Sequence, residues 1–133
     1  MSATAVVLDA SALLALLFAE PGAETVADAI AAAAVIGAVN LSEVATVLVR
    51  HQQDPAELLA PVRAQLPVEP FTDQDAIAAA ALYPQTASRG LSLGDRACLA
   101  LARRLRGPAL TAEQAWTQLD IGVDVQLIRP RTN

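Results

Sequence analysis

The sequence predicts an α/β domain of three layers, α/β/α, whose mainly parallel central sheet carries helices on both faces. Two observations support this. Short β-rich apolar runs alternate with longer helix-forming stretches along the chain, the pattern of successive strand–helix units. The 133 residues, 54% hydrophobic and only 17% charged, suit one domain, 1–133, with a buried core and exclude a disordered tail. Aromatics make up 3% of the chain against 30 alanines, so that core is aliphatic and finely divided.

The first strand is Ala5 to Leu8, a run without polar alternation, as in a strand buried on both faces. Leucine and alanine favour a helix over Ala12 to Ala19, ended by Pro21-Gly22. Val26, Ala29, Ile30 and Ala33 recur at helical spacing within a helix Glu24 to Ala33. Ala34 to Val39 is the second buried strand. Asn40 to Gln52 follows as a helix with Leu41, Val44, Ala45 and Leu48 on one face. Asp54 caps the next helix, Pro55 to Leu66, with proline at its first position.

Val68 to Phe71 reads as a short strand, and Thr72 caps a helix beginning DQDAIAAAAL. Tyr83 to Gly90 reads as a loop. Ser92 caps a helix that runs to Leu105 and is closed by Gly107-Pro108. A strand Ala109 to Thr111, a short helix Glu113 to Leu119 packed through Trp116, and a strand Val123 to Ile128 complete the order. In open parallel sheets of this kind, functional groups gather at the carboxyl ends of the strands.

Charge and cysteine content exclude several function classes. All nine basic residues are arginine, and fourteen acids leave a net charge of −5. That balance excludes a sequence-blind coater of duplex nucleic acid, which needs excess positive charge against phosphate. The single cysteine, Cys98, makes no internal disulfide and reads as a small core residue, in keeping with the cytoplasm. The N-terminal stretch has no positively charged leader region, and Asp9 interrupts it. The longest uninterrupted apolar stretch, Ala29 to Val39, is far short of the roughly 18–20 residues that span a bilayer, so no membrane is expected.

Four of the fourteen acids stand apart from solvated helix faces. Asp9 immediately follows the first strand, although an aspartate there is also a common helix N-cap. Glu43 lies within the apolar run Val39 to Val49, on the first turn after the second strand. Asp95 opens a helix that is apolar nearly throughout, and Glu113 follows a strand at its carboxyl end. If the strand order holds, these carboxylates converge. Two unit charges 4 Å apart repel by about 4 kcal/mol at an effective dielectric of about 20. Several such pairs rival the roughly 5–15 kcal/mol stability of a domain, so the cluster must hold protons or a cation. Oxygen-only ligands select a hard metal, Mg2+ or Mn2+, which points to metal-assisted phosphodiester hydrolysis. A phosphoacceptor signalling domain also clusters acids, but it needs a lysine and this chain has none. His51, the only histidine, reads as a helix-end residue and excludes a histidine zinc site.

The segments VVLDASALLALLFAEPG, NLSEVATVL, GLSLGDRACLALA and PALTAEQAW, in this order, resemble the PIN-domain ribonucleases and, within them, the VapC-type toxins of toxin–antitoxin pairs. The resemblance covers essentially the whole chain. It implies a PIN-like fold and an endoribonuclease dependent on Mg2+ or Mn2+, usually a homodimer inhibited by a cognate VapB-type antitoxin. It implies catalytic roles for Asp9, Glu43, Asp95 and Glu113. Asp9 and Asp95 would be metal ligands, with Glu113 a third where the family usually has Asp. Ser11 and Thr111 would support the site, and Glu43 would position or activate the attacking water. The extra methylene of Glu113 leaves open a module that binds RNA or antitoxin without efficient cleavage. Residues 67–133 hold seven arginines and seven acids, whereas residues 1–66 carry the whole deficit. Arg89 and Arg96, nearest Asp95 in sequence, are the candidates for gripping RNA phosphates.

Overall fold

A computed structural model describes residues 5–130. Residues 1–4, part of the stretch read as lacking a leader, and residues 131–133 lie outside them. The strands are β1 (Val7–Leu8), β2 (Val35–Gly37), β3 (Val68–Glu69), β4 (Ala109–Thr111) and β5 (Val125–Leu127). They form one sheet of order β3-β2-β1-β4-β5 in which every described pairing is parallel. The helices are α1 (Ala10–Leu17), α2 (Ala23–Ala31), α3 (Ala38–Arg50), α4 (Pro55–Arg63), α5 (Asp73–Ala81), α6 (Tyr83–Thr86) and α7 (Leu93–Leu105).

The three layers follow from side-chain alternation on the strands. Leu8, Ile36 and Leu110 point to one face and share a core with α1, α2, α3 and α4. Val7, Val35 and Ala109 point to the other and pack with α5, α7 and Trp116. Burying each of the larger side chains contributes about 1.5–3 kcal/mol. The expected three-layer architecture is therefore present.

The strands are shorter than the sequence runs for local reasons. Pro70 has no N–H to continue the ladder, which stops β3 at Glu69 before Phe71. In the β4–β5 pair only Ala109 to Thr111 pair, with Val125 to Leu127, so β5 is shorter than the apolar run around it. The helix caps at Asp54, Thr72 and Ser92 form as expected, the last two as reciprocal capping boxes. The segment 83–90 departs from its reading as a loop. Pro84, pre-set for a first helical turn, lies in α6, and a 3-10 turn over Ala87–Arg89 follows. Thr86 helps close that turn by donating its hydroxyl to the Leu82 carbonyl at 2.9 Å. The segment after β4 is likewise a 3-10 helix, Gln114–Gln118, with Trp116 buried. At the end of α7, Arg106 rather than glycine takes the left-handed conformation (φ 57°). Gly107 serves a different need: a Cβ there would stand 1.8 Å from the Ala5 carbonyl oxygen.

Candidate active site

The order of the sheet creates the site. The chain lays down β1, β2 and β3 outward in one direction, then returns to place β4 on the other flank of β1. A crevice opens outside the carboxyl ends of two strands where the order reverses in this way. Asp9 stands at the end of β1 and Thr111 at the end of β4, on its two sides.

Asp9 is both helix cap and buried acid. Its backbone N–H donates to Leu110 O at 3.1 Å, which binds it to β4. Its Oδ1 accepts from Ala12 N at 2.8 Å, which starts α1 two residues earlier than the leucine run suggests. The Ser11 hydroxyl lies 2.7 and 2.9 Å from Oδ1 and Oδ2, and the Thr111 hydroxyl donates to Oδ2 at 2.5 Å. Ala112 N donates to Ser11 Oγ and Glu113 N to Thr111 Oγ1, each at 2.9 Å. Asp9 is only 3% exposed. Burial pushes its carboxyl up to about 6 from 3.8, against the downward pull of Thr111, Ser11 and Ala12, and the Asp95 charge adds to the rise.

Glu43 is held by a neighbour that the sequence reading did not single out. Because α3 begins at Ala38, Glu43 falls in its second turn and Asn40 in its first. Asn40 is buried, and its Nδ2 donates both to Glu43 Oε1 at 2.8 Å and to the Gly94 carbonyl at 3.0 Å. The Glu43 carboxylate thus rests on the first turn of α7, whose positive dipole end favours it. Gly94 makes the room, since a Cβ there would lie 2.2 Å from Glu43 Oε2. Burial raises the Glu43 pKa, the Asn40 bond opposes the rise, and Asp95 adds to it. The signals for this pair were the i, i+3 spacing of Asn40 and Glu43 and the glycine just before Asp95 in LGDRA.

Asp95, third in α7, is half-buried and completes a capping box: Ser92 N donates to its Oδ2 at 2.9 Å, and Asp95 N to Ser92 Oγ at 3.2 Å. Its charge bears on both Asp9 and Glu43. Cys98, one turn further along α7, is fully buried. Burial pushes its thiol well up, and the charges of Asp9, Asp95 and Glu43 push it further. The charges of three carboxylates from three elements therefore act together on this part of α7.

Glu113 is exposed and stands apart. Its charge is not among those acting on Asp9, Glu43 or Cys98, and among the described hydrogen bonds its carboxylate takes no part. Arg96, although adjacent to Asp95 in sequence, points elsewhere, because consecutive helical residues diverge by about 100°. Its Nη1 donates to the Ala79 carbonyl at 3.1 Å, and its guanidinium lies 5.5 Å from the Tyr83 ring centroid. Arg89 is exposed and donates to the Gln118 side-chain oxygen.

The donor set suits a hard divalent cation: oxygen ligands only, two of them destabilised as charges by burial and by a common neighbour. Among the described residues no three His, Cys, Asp or Glu side chains are drawn together closely enough to share one ion. Mg2+ does not need that, since it commonly takes one or two carboxylates and keeps several waters.

The sequence profile of the PIN domain matches residues 6–122. The chain belongs to the PIN domain family. The family expected from the four sequence segments is thereby established, and the site described above lies wholly inside the match. No curated protein matches this PIN domain by sequence. Its fold is similar to VapBC2 from Rickettsia felis, solved bound to a promoter DNA fragment, at 11% identity over 92% of this chain and 97% of that one, with TM-score 0.72. It is also similar to VapC20 from Mycobacterium tuberculosis, described as a sarcin–ricin loop cleaving toxin, at 18% identity over 90% and 99%, with TM-score 0.69. A third is VapBC-5 from Mycobacterium tuberculosis, a member of the VapBC toxin–antitoxin family, at 23% identity over 96% and 100%, with TM-score 0.64. At these identities the likeness is one of fold. Among the described residues of this PIN domain no helix is long and apolar enough to cross a membrane.

Proposed function

We propose that this PIN domain is a divalent-metal-dependent endoribonuclease acting as the toxin of a toxin–antitoxin pair. The observation that carries the reading is the buried Asp9 at the β1–β4 crevice, electrostatically coupled to Asp95, which in turn bears on Glu43. Asp9 and Asp95 would hold Mg2+ or Mn2+, with the exposed Glu113 near enough in sequence to Thr111 to join through a water. When bound, such an ion supplies Lewis acidity toward a phosphate oxygen and acidifies a coordinated water. Ser11 and Thr111 fix the orientation of Asp9 through hydroxyl hydrogen bonds. Glu43 would take a proton from the water that attacks phosphorus, a role its raised pKa supports. Arg89, exposed just before α7, is the arginine we assign to RNA phosphate, since Arg96 is engaged by Ala79 and Tyr83. The fold shared with VapBC chains supports a VapB-type antitoxin as partner, and a homodimer in the cytoplasm belongs to the same proposal.

The test is cleavage of a structured RNA by the purified protein with Mn2+, with and without chelator, beside Asp9→Asn. Cleavage that needs Mn2+ and disappears in Asp9→Asn is expected. Cleavage that survives both the chelator and the substitution would refute the assignment. One observation favours a second reading: Glu113 lies outside the coupled group, so the chain could bind RNA or antitoxin while cutting poorly. Metal-dependent binding without cleavage would select that module.

A further inference from the structure

Next to the coupled carboxylates lies an open groove. It has a volume of about 550 Å³, begins at Ser11 and Glu113 and runs along one face of α1 toward Phe18. Its opposite wall is α3 and its C-cap, where Val47 and His51 follow Glu43 at four-residue spacing. At 1.5 Å per residue, His51 lies about 12 Å along α3 from Glu43. The far end of the groove is built from aromatic and charged groups. The rings of Phe18 and His51 are tilted at 53° with centroids 5.4 Å apart, and both side chains are exposed. Arg129 lines the same groove, donates to the Pro21 carbonyl at 2.9 Å and stands 3.9 Å from Glu20. Arg129 lies beyond residue 122, where the family match ends.

We propose that this groove receives an unpaired base of the RNA strand whose phosphodiester lies at Asp9, stacking it against the Phe18–His51 pair. The inference rests on the endoribonuclease reading for the identity of the strand. Three features select a nucleobase. The groove begins at Ser11, whose hydroxyl bonds Asp9, so a nucleotide next to the scissile phosphate is the group within its reach. Its volume is that of a small-molecule site. Its end offers an exposed aromatic pair against which one base face can stack, and Glu20 and Arg129 line the same groove, a combination of ring face and charge by which proteins hold single-stranded RNA. The chain has only four aromatic residues and one histidine, and one such pair flanks this groove.

The test measures binding of a fluorescent single-stranded RNA oligonucleotide to the full chain in chelator, with one abasic site walked along the strand. For the wild type, one position should cost about tenfold in affinity when its base is removed. A double variant, Phe18→Leu with His51→Ala, should bind the intact and abasic strands equally. Both residues are exposed, and matched thermal melts confirm that the variant is folded. Equal discrimination by wild type and variant, or none by the wild type, overturns the base site; in that case the groove suits a protein segment instead. Cleavage with Mn2+ on the same samples reports separately on the enzyme reading. Base discrimination without cleavage would sink the nuclease and leave the base site standing.

Discussion

Thr111 donates its hydroxyl to Asp9 Oδ2 at 2.5 Å, joining the ends of the two central strands across the point where the sheet reverses its order. The same hydroxyl accepts from Glu113 N at 2.9 Å, so one side chain fixes both the buried acid and the direction in which the chain leaves β4. A carboxylate with four short hydrogen-bond contacts is well placed geometrically. Its pKa nevertheless rises, because burial and the Asp95 charge outweigh those bonds. The site therefore stores electrostatic strain that a proton or a cation relieves.

Asp9→Asn should raise stability while abolishing activity. The folded pKa, about 6, exceeds the ordinary 3.8, so the unfolded chain gives up this proton first. Stability from this group is full below pH 4 and falls as pH rises toward 6, by about 3 kcal/mol in total. The Asn variant lacks that slope. In chelator, its urea midpoint should match the wild type near pH 4 and exceed it at pH 7. A variant less stable than the wild type at pH 7 would show that the hydrogen bonds, not burial, dominate at Asp9.

Gly94→Ala separates fold from function. In a helix the change favours folding by up to about 1 kcal/mol. The new Cβ, however, would occupy the place of the Glu43 carboxylate, 2.2 Å from Oε2. The glutamate is the flexible partner and must swing away, leaving Asn40 and the α7 terminus. Melting temperature should hold or rise while turnover falls about 10–100-fold, the cost of misplacing a reacting group by about an ångström. Wild-type turnover in a folded Gly94→Ala protein would remove Glu43 from the reaction.

The sheet, its helices and three of the caps were legible in the sequence because each rests on local physics. Apolar runs without alternation marked the buried strands, and Asp54, Thr72 and Ser92 preceded helices as capping residues do. Asp9, Asp95 and Glu43 were legible as charges that apolar surroundings do not tolerate unaided. What lay beyond reach depended on direction. Arg96 adjoins Asp95 in sequence but points to Tyr83, and sequence distance does not report helix phase. Asn40 bonds across 54 residues to Gly94, a pairing that only the packing of α3 on α7 creates. The turns over 83–89 were read as loop because they are too short to show helical periodicity, whereas Pro84 lies in a first helical turn.

Asn40→Asp should damage both packing and chemistry. The native amide donates to Glu43 and to the Gly94 carbonyl. An aspartate of the same shape offers an acceptor to each, beside an acid whose pKa is already raised. The loss should be about 1–3 kcal/mol, the cost of leaving buried polar groups unpaired. Thermal denaturation at pH 7 measures it. An unchanged melting temperature would mean that Glu43 moves freely away, and that Asn40 is not what holds it.

Arg104→Gln probes an ion pair remote from the crevice, and its pH dependence has the opposite sign to that of Asp9. Arg104 Nε donates to Asp75 Oδ1 at 2.9 Å, tying α7 to the first turn of α5, where Asp75 also accepts from Thr72 N at 3.1 Å. Burial pushes the Asp75 carboxyl up, but the Thr72 and Arg104 bonds prevail and hold it below 3.8. A depressed carboxyl contributes stability above its unfolded pKa, and that contribution is lost as pH falls through the folded value. Since the Arg104 side chain is 42% exposed, solvent screening limits the loss in the glutamine variant to about 1 kcal/mol at pH 7. The gap in urea midpoint between wild type and variant should narrow as pH falls from 3.8 toward the lowered folded value of Asp75. A gap that persists unchanged at pH 3 would assign the contribution of Arg104 to the packing of its aliphatic stem rather than to its charge.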